Sequence, residues 1–345
     1  MDKIHHKGVP AAMQSAHSKT EKRRALQPLW NAFTQTVKPH ENKGLLLAIS
    51  GGPDSLALME AFARWPGRAF AETMVVSLDH GVRPNAKEEA QRVVARASVL
   101  GFRALCDSRY PPLKGGNGEG QLRKWRYSRL WQLADQHDLG CLVLAQHQDD
   151  EAESHLMDLL GLGGGPEGAS MGREAKHANG LVLRPFLGLR KDQLGLALSA
   201  LGLSQYAVTD ECDQKNQNWR AFLRNEVMPH LARANPKMTQ RLAGKASRQK
   251  DVNDIVRVAA RRSISHIAGE KIMIELHDLP SILLRFAVHE ALRILSPQTD
   301  FRQSGTTIDK IIEAAESKPL KTSGFYHFSG VKAGLSEGQL ILQRL

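Results

Sequence analysis

Sulfur is scarce in this chain: 345 residues contain three cysteines, Cys106, Cys141 and Cys212. They are odd in number, far apart and without a CxxC pair, so neither a disulfide framework nor a four-thiolate metal site is expected, and a reducing cytoplasm is the expected compartment. Long apolar runs are missing too. No segment approaches the roughly 18 uninterrupted apolar residues that cross a bilayer, and the opening "MDKIHHKGVPAAMQSAHSKTEKRR" carries no apolar stretch after its charges, so no membrane partner is expected. There is no internal repeat. Two common nucleotide signatures also fail at the glycine turn that follows the aliphatic run 44–50: no Lys follows its second Gly as GxxxxGK[ST] requires, and its spacing is not GxGxxG.

Acid is short relative to base, with 36 Asp and Glu against 47 Lys and Arg, a formal charge of +11. The excess is uneven: Arg220 to Arg262 holds eleven basic residues against three acidic ones. Such a run is either a solvated helix face or a surface for phosphate, and charge alone leaves both readings open.

At this length two or three domains are expected. The first half alternates short aliphatic runs with amphipathic segments, the rhythm of βαβ units in a parallel sheet. "GLLLAIS" (44–50), "TMVVSLD" (73–79), "FRALC" (102–106) and "CLVLAQ" (141–146) read as strands. "SLALMEAFARW", "AKEEAQRVVARASVLG" and "EGQLRKWRYSRLWQLADQHDLG" read as helices, the last two stopping at Gly. "GLGGGPEGAS" (161–170) reads as a mobile loop and "TDECDQKNQNW" (209–219) as a linker. From residue 237 to 268 apolar residues keep helical spacing, which predicts a long helix or a broken pair. A short strand "KIMIEL", helices over 281–295 and 306–317, and β-like segments ending in "QLILQRL" follow. The division expected is a flexible basic tail with the start of the first helix (1–40), an α/β domain with a parallel sheet (41–212), and a basic, mainly helical region with some C-terminal strands (213–345).

The motif with the clearest chemistry is "SGGPDS", Ser50, Gly51, Gly52, Pro53, Asp54 and Ser55, set between an aliphatic strand and a helix. Its glycines let main-chain N–H groups close around phosphate oxygens, the helix start adds partial positive charge, and two serines add hydroxyl donors. The hexapeptide resembles the pyrophosphate-binding loop of the N-type ATP pyrophosphatases. "LDHGVRPNAKEEA" (78–90), "LRKWRYSRL" (122–130), "AQHQDDEAESHLMDLL" (145–160), "LRPFLGLRKDQL" (183–194) and, more loosely, "NWRAFLRNEVMPHL" (218–231) resemble further blocks of the tRNA(Ile)-lysidine synthetases. The resemblance covers about residues 44–231.

It implies a PP-loop ATPase fold of the adenine nucleotide alpha hydrolase type, ATP and Mg²⁺ as cofactors, and free L-lysine and the isoleucine tRNA with CAU anticodon as partners. The implied reaction adenylates the 2-carbonyl of the wobble cytidine, releasing pyrophosphate, after which the lysine ε-amine displaces AMP. A homodimer is compatible with this.

Adenylation gathers negative charge on phosphate oxygens, so the site needs a hard cation and fixed donors more than a covalent nucleophile. Asp149 and Asp150, adjacent carboxylates after a strand, suit Mg²⁺ or the ε-ammonium of lysine, although Asp at a helix start also serves as a cap. Asp79 and His80 end the second strand, where Asp79 suits lysine or Mg²⁺ and His80 suits proton transfer or the activated oxygen. Asp54 belongs to the loop and to the catalytic set. His147 and Glu153 occupy the third block, with Glu153 a candidate for lysine. Arg83, Arg123, Arg126, Arg184, Arg190 and Arg224 lie in matching blocks as candidate phosphate or tRNA contacts.

The chain departs from the family pattern at Gln146, where a second histidine is usual, and at Ser154, where Thr is usual. Gly161 to Gly165 replaces an Arg-Gly-Ser-Gly, and a second arginine soon after Arg224 and Asn225 is missing. These departures bear on tRNA contact more than on the ATP site. The rivals are a tRNA thiolation enzyme of the same superfamily, which the scattered cysteines oppose, an amidating synthetase of the NAD or GMP type, and a non-catalytic RNA-binding relative.

Overall fold

A computed structural model describes residues 17–67, 72–79, 85–108, 119–162, 170–177, 179–208, 219–268, 270–295, 305–316, 325–328, 330–336 and 338–345. His80, Arg83, the linker 209–218 and most of the glycine-rich stretch lie outside these residues. Contacts divide the chain into two units, 1–148 with 173–211, and 149–172 with 212–345.

The first unit is built on a six-stranded sheet with the order β3-β2-β1-β4-β6-β5. Its strands are β1 (Leu45–Ala48), β2 (Thr73–Asp79), β3 (Arg103–Ser108), β4 (Cys141–Val143), β5 (Glu174–His177) and β6 (Gly180–Leu183). All pair in parallel except β5, which runs antiparallel to β6. Strand alternation sends side chains to two buried faces. Leu45, Leu47, Val75, Val143 and Leu183 face one core with α1 (Lys19–Thr36), α2 (Pro53–Ala63), α3 (Ala86–Val99) and α6 (Lys191–Ala200). Leu46, Met74, Val76, Leu142 and Val182 face the other, where α4 (Glu119–Gln136) contributes Leu130, Trp131, Leu133 and Ala134.

The sheet order places β1 between β2 and β4, so successive crossovers leave it in opposite directions. Ligands in open α/β sheets sit at such a switch point, outside the carboxyl ends of the strands. The "SGGPDS" loop leaves β1 at that end.

The N-terminal region holds more structure than a tail. Ser18 and Glu21 form a reciprocal capping box that starts α1 at Lys19. Leu26, Leu29 and Phe33 are buried, the Trp30 indole N–H donates to the Ala61 carbonyl at 3.0 Å, and Phe33 packs on Phe62, Trp65 and Phe186. The hairpin β5-β6 is a further element that the strand pattern does not announce.

In the second unit α5 (Gln148–Leu159) belongs with the helices that follow residue 212 rather than with the sheet domain, although the linear order puts it inside 41–212. The short α7 (Trp219–Phe222) runs through a π-helical turn, Leu223–Val227, into α8 (Met228–Ala234), and α9 (Met238–Arg261) follows. Ala152, Met228 and Ala243 form the small apolar contact among them.

The expected helix over 237–268 ends at Arg261, and Ile264–Ala268 is a strand, β7. Ile264 and Ile267 continue the helical spacing by coincidence of sequence, but they pair with Ile274 and Ile272 of β8 (Lys271–Glu275). That cross-strand pairing overrides the local period. β9 (Phe325–Phe328), β10 (Val331–Ser336) and β11 (Gln339–Arg344) complete an antiparallel sheet of order β7-β8-β11-β10-β9. Helices α10 (Ser281–Leu295) and α11 (Gly305–Glu316) supply Phe286, Leu292, Ile308 and Ile311 to its core. No helix among the described residues is long and apolar enough to cross a membrane.

Candidate active site

The loop after β1 is organised by its own polar groups. Gly51 sits at φ +88, in the left-handed region that glycine alone adopts without strain. Ser55 Oγ donates to the Gly52 carbonyl at 2.9 Å and accepts from the Ser50 N–H at 3.2 Å, while the two serine hydroxyls lie 3.2 Å apart. Pro53 takes the first helical position of α2 and no side chain caps the helix. A proline there removes a donor that would have had no helical partner, and the first-turn N–H groups that remain are the kind that close on an anion. Asp54 follows, in the first turn.

Across the switch point, the segment leaving β4 brings in His147. The imidazole is buried, and its Nε2 stands 3.4 Å from Asp54 Oδ2. Its position is fixed from behind: the Gln148 N–H donates to the Leu189 carbonyl at 2.8 Å, and Arg184 Nε donates to Gln146 Oε1 at 2.5 Å. Arg184 is 6% exposed, so this guanidinium braces the β4 and β6 ends rather than lying open to a large polyanion. Asp79 is buried at the end of β2, opposite Ser108 of β3. Of the other expected arginines in this unit, Arg123 lies over the Tyr127 ring at 5.1 Å, Arg126 is half-buried on α4, and Arg190 is exposed and paired with Asp192.

Asp149 and Asp150 come next in the chain after Gln148, half-buried in the first turn of α5. Within the second unit, one turn further along, Glu153 is 3% exposed and carries two arginines. Arg224 donates to both carboxylate oxygens at 2.8 Å, and its Nη2 also reaches Asp150 Oδ1 at 3.3 Å. Arg220 approaches Glu153 at 3.3 Å and Ser154 Oγ at 2.7 Å. Sequence reading had passed over Arg220, yet it lies four residues before Arg224 in "NWRAFLRNE", and that spacing puts two cations on one helix face. The π-helical turn inserts at this point, a distortion that often marks functional segments. Glu151, also overlooked, is buried and accepts from Ser170 Oγ at 2.6 Å and the Met171 N–H at 3.0 Å, anchoring the chain after the glycine-rich stretch.

A parallel sheet whose switch point carries an anion-shaped strand-loop-helix, with a carboxylate–histidine pair beside it, defines a nucleotide-binding α/β domain. Residues 26–231 match the PP-loop domain family, and the chain belongs to that family, the N-type ATP pyrophosphatases. The tRNA(Ile)-lysidine synthase of Methylobacterium nodulans is 36% identical over 226 residues, 65% of this chain and 65% of the relative. That of Bradyrhizobium sp. is 33% identical over 239 residues, 67% of this chain and 65% of the relative. The chain thus spans a little under two thirds of the length of these curated relatives. Among solved structures, a tRNA thiolase from Methanococcus maripaludis with its [4Fe-4S] cluster superposes with a TM-score of 0.57 at 14% identity, covering 72% of this chain and 88% of the other, a likeness of fold.

The loop geometry makes a direct prediction. A Cβ on Gly51 would meet Val93 Cγ2 at 3.3 Å and Val208 Cγ2 at 3.4 Å, in a backbone conformation that costs an L-residue about 1–2 kcal/mol. Gly51→Ala is therefore expected to weaken pyrophosphate binding about tenfold while the melting temperature falls by only a few degrees. Isothermal calorimetry and a thermal melt on the same preparation check both halves.

Proposed function

We propose that the chain is an ATP-dependent tRNA-modifying ligase that joins free lysine to the wobble cytidine of the isoleucine tRNA with CAU anticodon. The observation that carries this reading is the "SGGPDS" loop at the β1/β4 switch point with Asp54 set against His147. The resemblance over several sequence blocks and the lysidine synthase relatives support the substrate.

In the first step the cytidine 2-carbonyl oxygen forms a bond to the α-phosphorus of ATP, and the bond to the bridging oxygen breaks. Pyrophosphate leaves against the loop amides and the α2 N-terminus, which stabilise the charge that develops there. In the second step the lysine ε-nitrogen bonds to carbon 2, AMP departs with the oxygen, and the nitrogen gives up its protons. Mg²⁺ would supply charge neutralisation on the triphosphate. Asp149 and Asp150 are the oxygen donors that fit it, and no group of three or more His, Cys, Asp or Glu that could hold a metal occurs among the described residues. That donor set suits an ion completed by nucleotide phosphates and water. Asp79, buried at the end of β2, is the carboxylate offered to the substrate ammonium, whereas Glu153, expected for the same role, has both oxygens taken by Arg224 with Arg220 beside them. A cytoplasmic location follows from a tRNA substrate.

Among the described residues, one part of the basic region supports RNA contact most directly. Arg220, Arg224, Lys250, Arg257 and Arg261 are neutralised by Glu153, Asp254 and Glu290. Lys237, Arg241, Lys245 and Arg248 are exposed and make no ion pair among the described residues. Arg241, Lys245 and Arg248 recur at helical spacing along the first half of α9, a stripe suited to a phosphate backbone. Changing Arg241 and Lys245 to alanine should weaken tRNA binding and flatten its dependence on log salt by about two. ATP binding should be unchanged, which filter binding at several salt concentrations and calorimetry would establish.

The thiolation reading is disfavoured by where Cys106 and Cys141 fall, Cys212 lying outside the described residues. Cys106 on β3 and Cys141 on β4 are separated by β2 and β1, three strand spacings or about 14 Å, far beyond disulfide reach. Burial also pushes both thiols up, away from the reactive thiolate, with Asp79 and Asp107 adding to the effect at Cys106. The deciding experiment measures pyrophosphate release from ATP with lysine and tRNA added separately and together, followed by mass analysis of the tRNA. A product heavier by lysine, less water, supports the reading. RNA binding without ATP turnover would replace it with a non-catalytic role.

A further inference from the structure

Beside the phosphate-binding loop, the chain between α6 and the linker forms a short strap, Leu203–Val208, with a 3-10 turn at Ser204–Tyr206. Its last residue makes one contact of consequence: the Val208 N–H donates to the Gly51 carbonyl at 2.9 Å. The Gly51–Gly52 peptide is planar, so its carbonyl and its N–H point in opposite directions. Holding the oxygen on the strap side turns the Gly52 N–H toward the loop interior, where it lies 3.4 Å from Ser50 Oγ, a long contact that leaves the donor ready for a better acceptor.

Two glycines in succession make this peptide easy to flip. The flipped form would put a carbonyl oxygen where an anion must sit. Packing does little to prevent it, because a cavity of about 570 Å³ opens on the strap side, lined by Gly51, Leu56, Val93, Leu203, Tyr206 and Val208 among others. The hydrogen bond from the strap is then the main restraint on the orientation of the peptide. We propose that Val208 is a positioning residue, whose backbone N–H sets the Gly51–Gly52 peptide so that the Gly52 N–H faces the departing pyrophosphate. The proposal rests on the pyrophosphate reading of the loop.

The strap carries no charged side chain, and its contact with the loop is a backbone hydrogen bond, so its effect should show in anion affinity before any chemistry. The test replaces Val208 by its α-hydroxy acid through nonsense suppression, which deletes the N–H and keeps the side chain. Pyrophosphate affinity measured by calorimetry should fall about tenfold, while Val208→Ala, which keeps the N–H, stays within about twofold of the wild type. Equal affinity in the ester variant and the wild type would overturn the proposal, and so would an equal loss in Val208→Ala, since that would assign the effect to side-chain packing.

Should the ester protein fail to fold, two independent measurements decide. Val208→Pro also deletes the N–H, and Ala207 already has the extended conformation (φ −73, ψ 131) that a following proline requires. In the wild type, pyrophosphate should slow hydrogen exchange at the Gly52 amide, and unchanged exchange with the ligand bound overturns the proposal. A wild type that binds no pyrophosphate defeats the loop reading and this inference together. A wild type that binds it but modifies no tRNA defeats the substrate assignment and leaves the inference standing.

Discussion

Glu153→Ala is expected to destabilise the helical part of the second unit by about 3 kcal/mol, at the lower end of the range for breaking a buried ion pair by removing one partner. The carboxylate is 3% exposed and accepts from Arg224 at 2.8 Å through both oxygens, with Arg220 at 3.3 Å. Without it, two guanidiniums from one helix face each other over a gap in α5. Their side chains keep 22% and 25% exposure, so water can take over part of the solvation, which holds the cost below the upper limit. Urea unfolding should show the corresponding transition lowered by about 1 M, and hydrogen exchange should place the loss in α5 and α7 to α9. Glu153→Gln, which keeps the shape and one acceptor, should recover roughly half. A midpoint within 0.2 M of the wild type, roughly experimental error, would show that the arginines hold these helices without the carboxylate.

The parts of the fold legible in the sequence were those in which one signal acts alone. Thr73–Asp79 is an aliphatic run with both faces buried, and Ser281–Leu295 is an amphipathic helix with one unbroken stripe; both boundaries follow from local pattern. Where two signals conflicted, the pattern misled. The basic stretch through Arg24 read as a tail leading into the first helix, although Ser18 and Glu21 spell a capping box that starts α1 at Lys19. Ile264 and Ile267 satisfied a helical period until pairing with β8 claimed them.

The candidate site divides in the same way. The loop was legible because the residues that define it are contiguous, and the contacts among Ser50, Gly52 and Ser55 fall within six residues. The pairing of His147 with Asp54 depends on the order of β1 and β4 in the sheet, and Glu153 with Arg220 and Arg224 depends on the approach of segments 67 to 71 residues apart. Val208 was invisible, because its contribution is a backbone N–H that any residue but proline would offer.

Asp54→Ala should remove ATP-dependent pyrophosphate release, by about 100-fold or more, while tRNA affinity stays within about twofold. The carboxylate has two candidate uses, and their energies differ enough to be separated. As a first-turn acid it interacts with the dipole of α2, which is worth about 0.3–1 kcal/mol of stability and nothing in turnover. As the partner of a buried imidazole 3.4 Å away, at the end of the sheet where the nucleotide is proposed to bind, it contributes charge and fixes the ring. A purely structural acid would lower the melting point by a few degrees and leave the rate of the remaining folded enzyme intact.

Asp54→Asn refines the test. Its amide preserves the shape and can hydrogen-bond the imidazole, but it carries no charge, so a rate as low as that of the alanine variant assigns the effect to electrostatics, and partial recovery assigns it to orientation. The stripe proposed for RNA on α9, Arg241, Lys245 and Arg248, lies outside the loop, so a parallel loss of tRNA affinity in Asp54→Ala would show that nucleotide and RNA do not occupy separate parts of the chain. Pyrophosphate release and filter binding on the same folded preparations give both quantities.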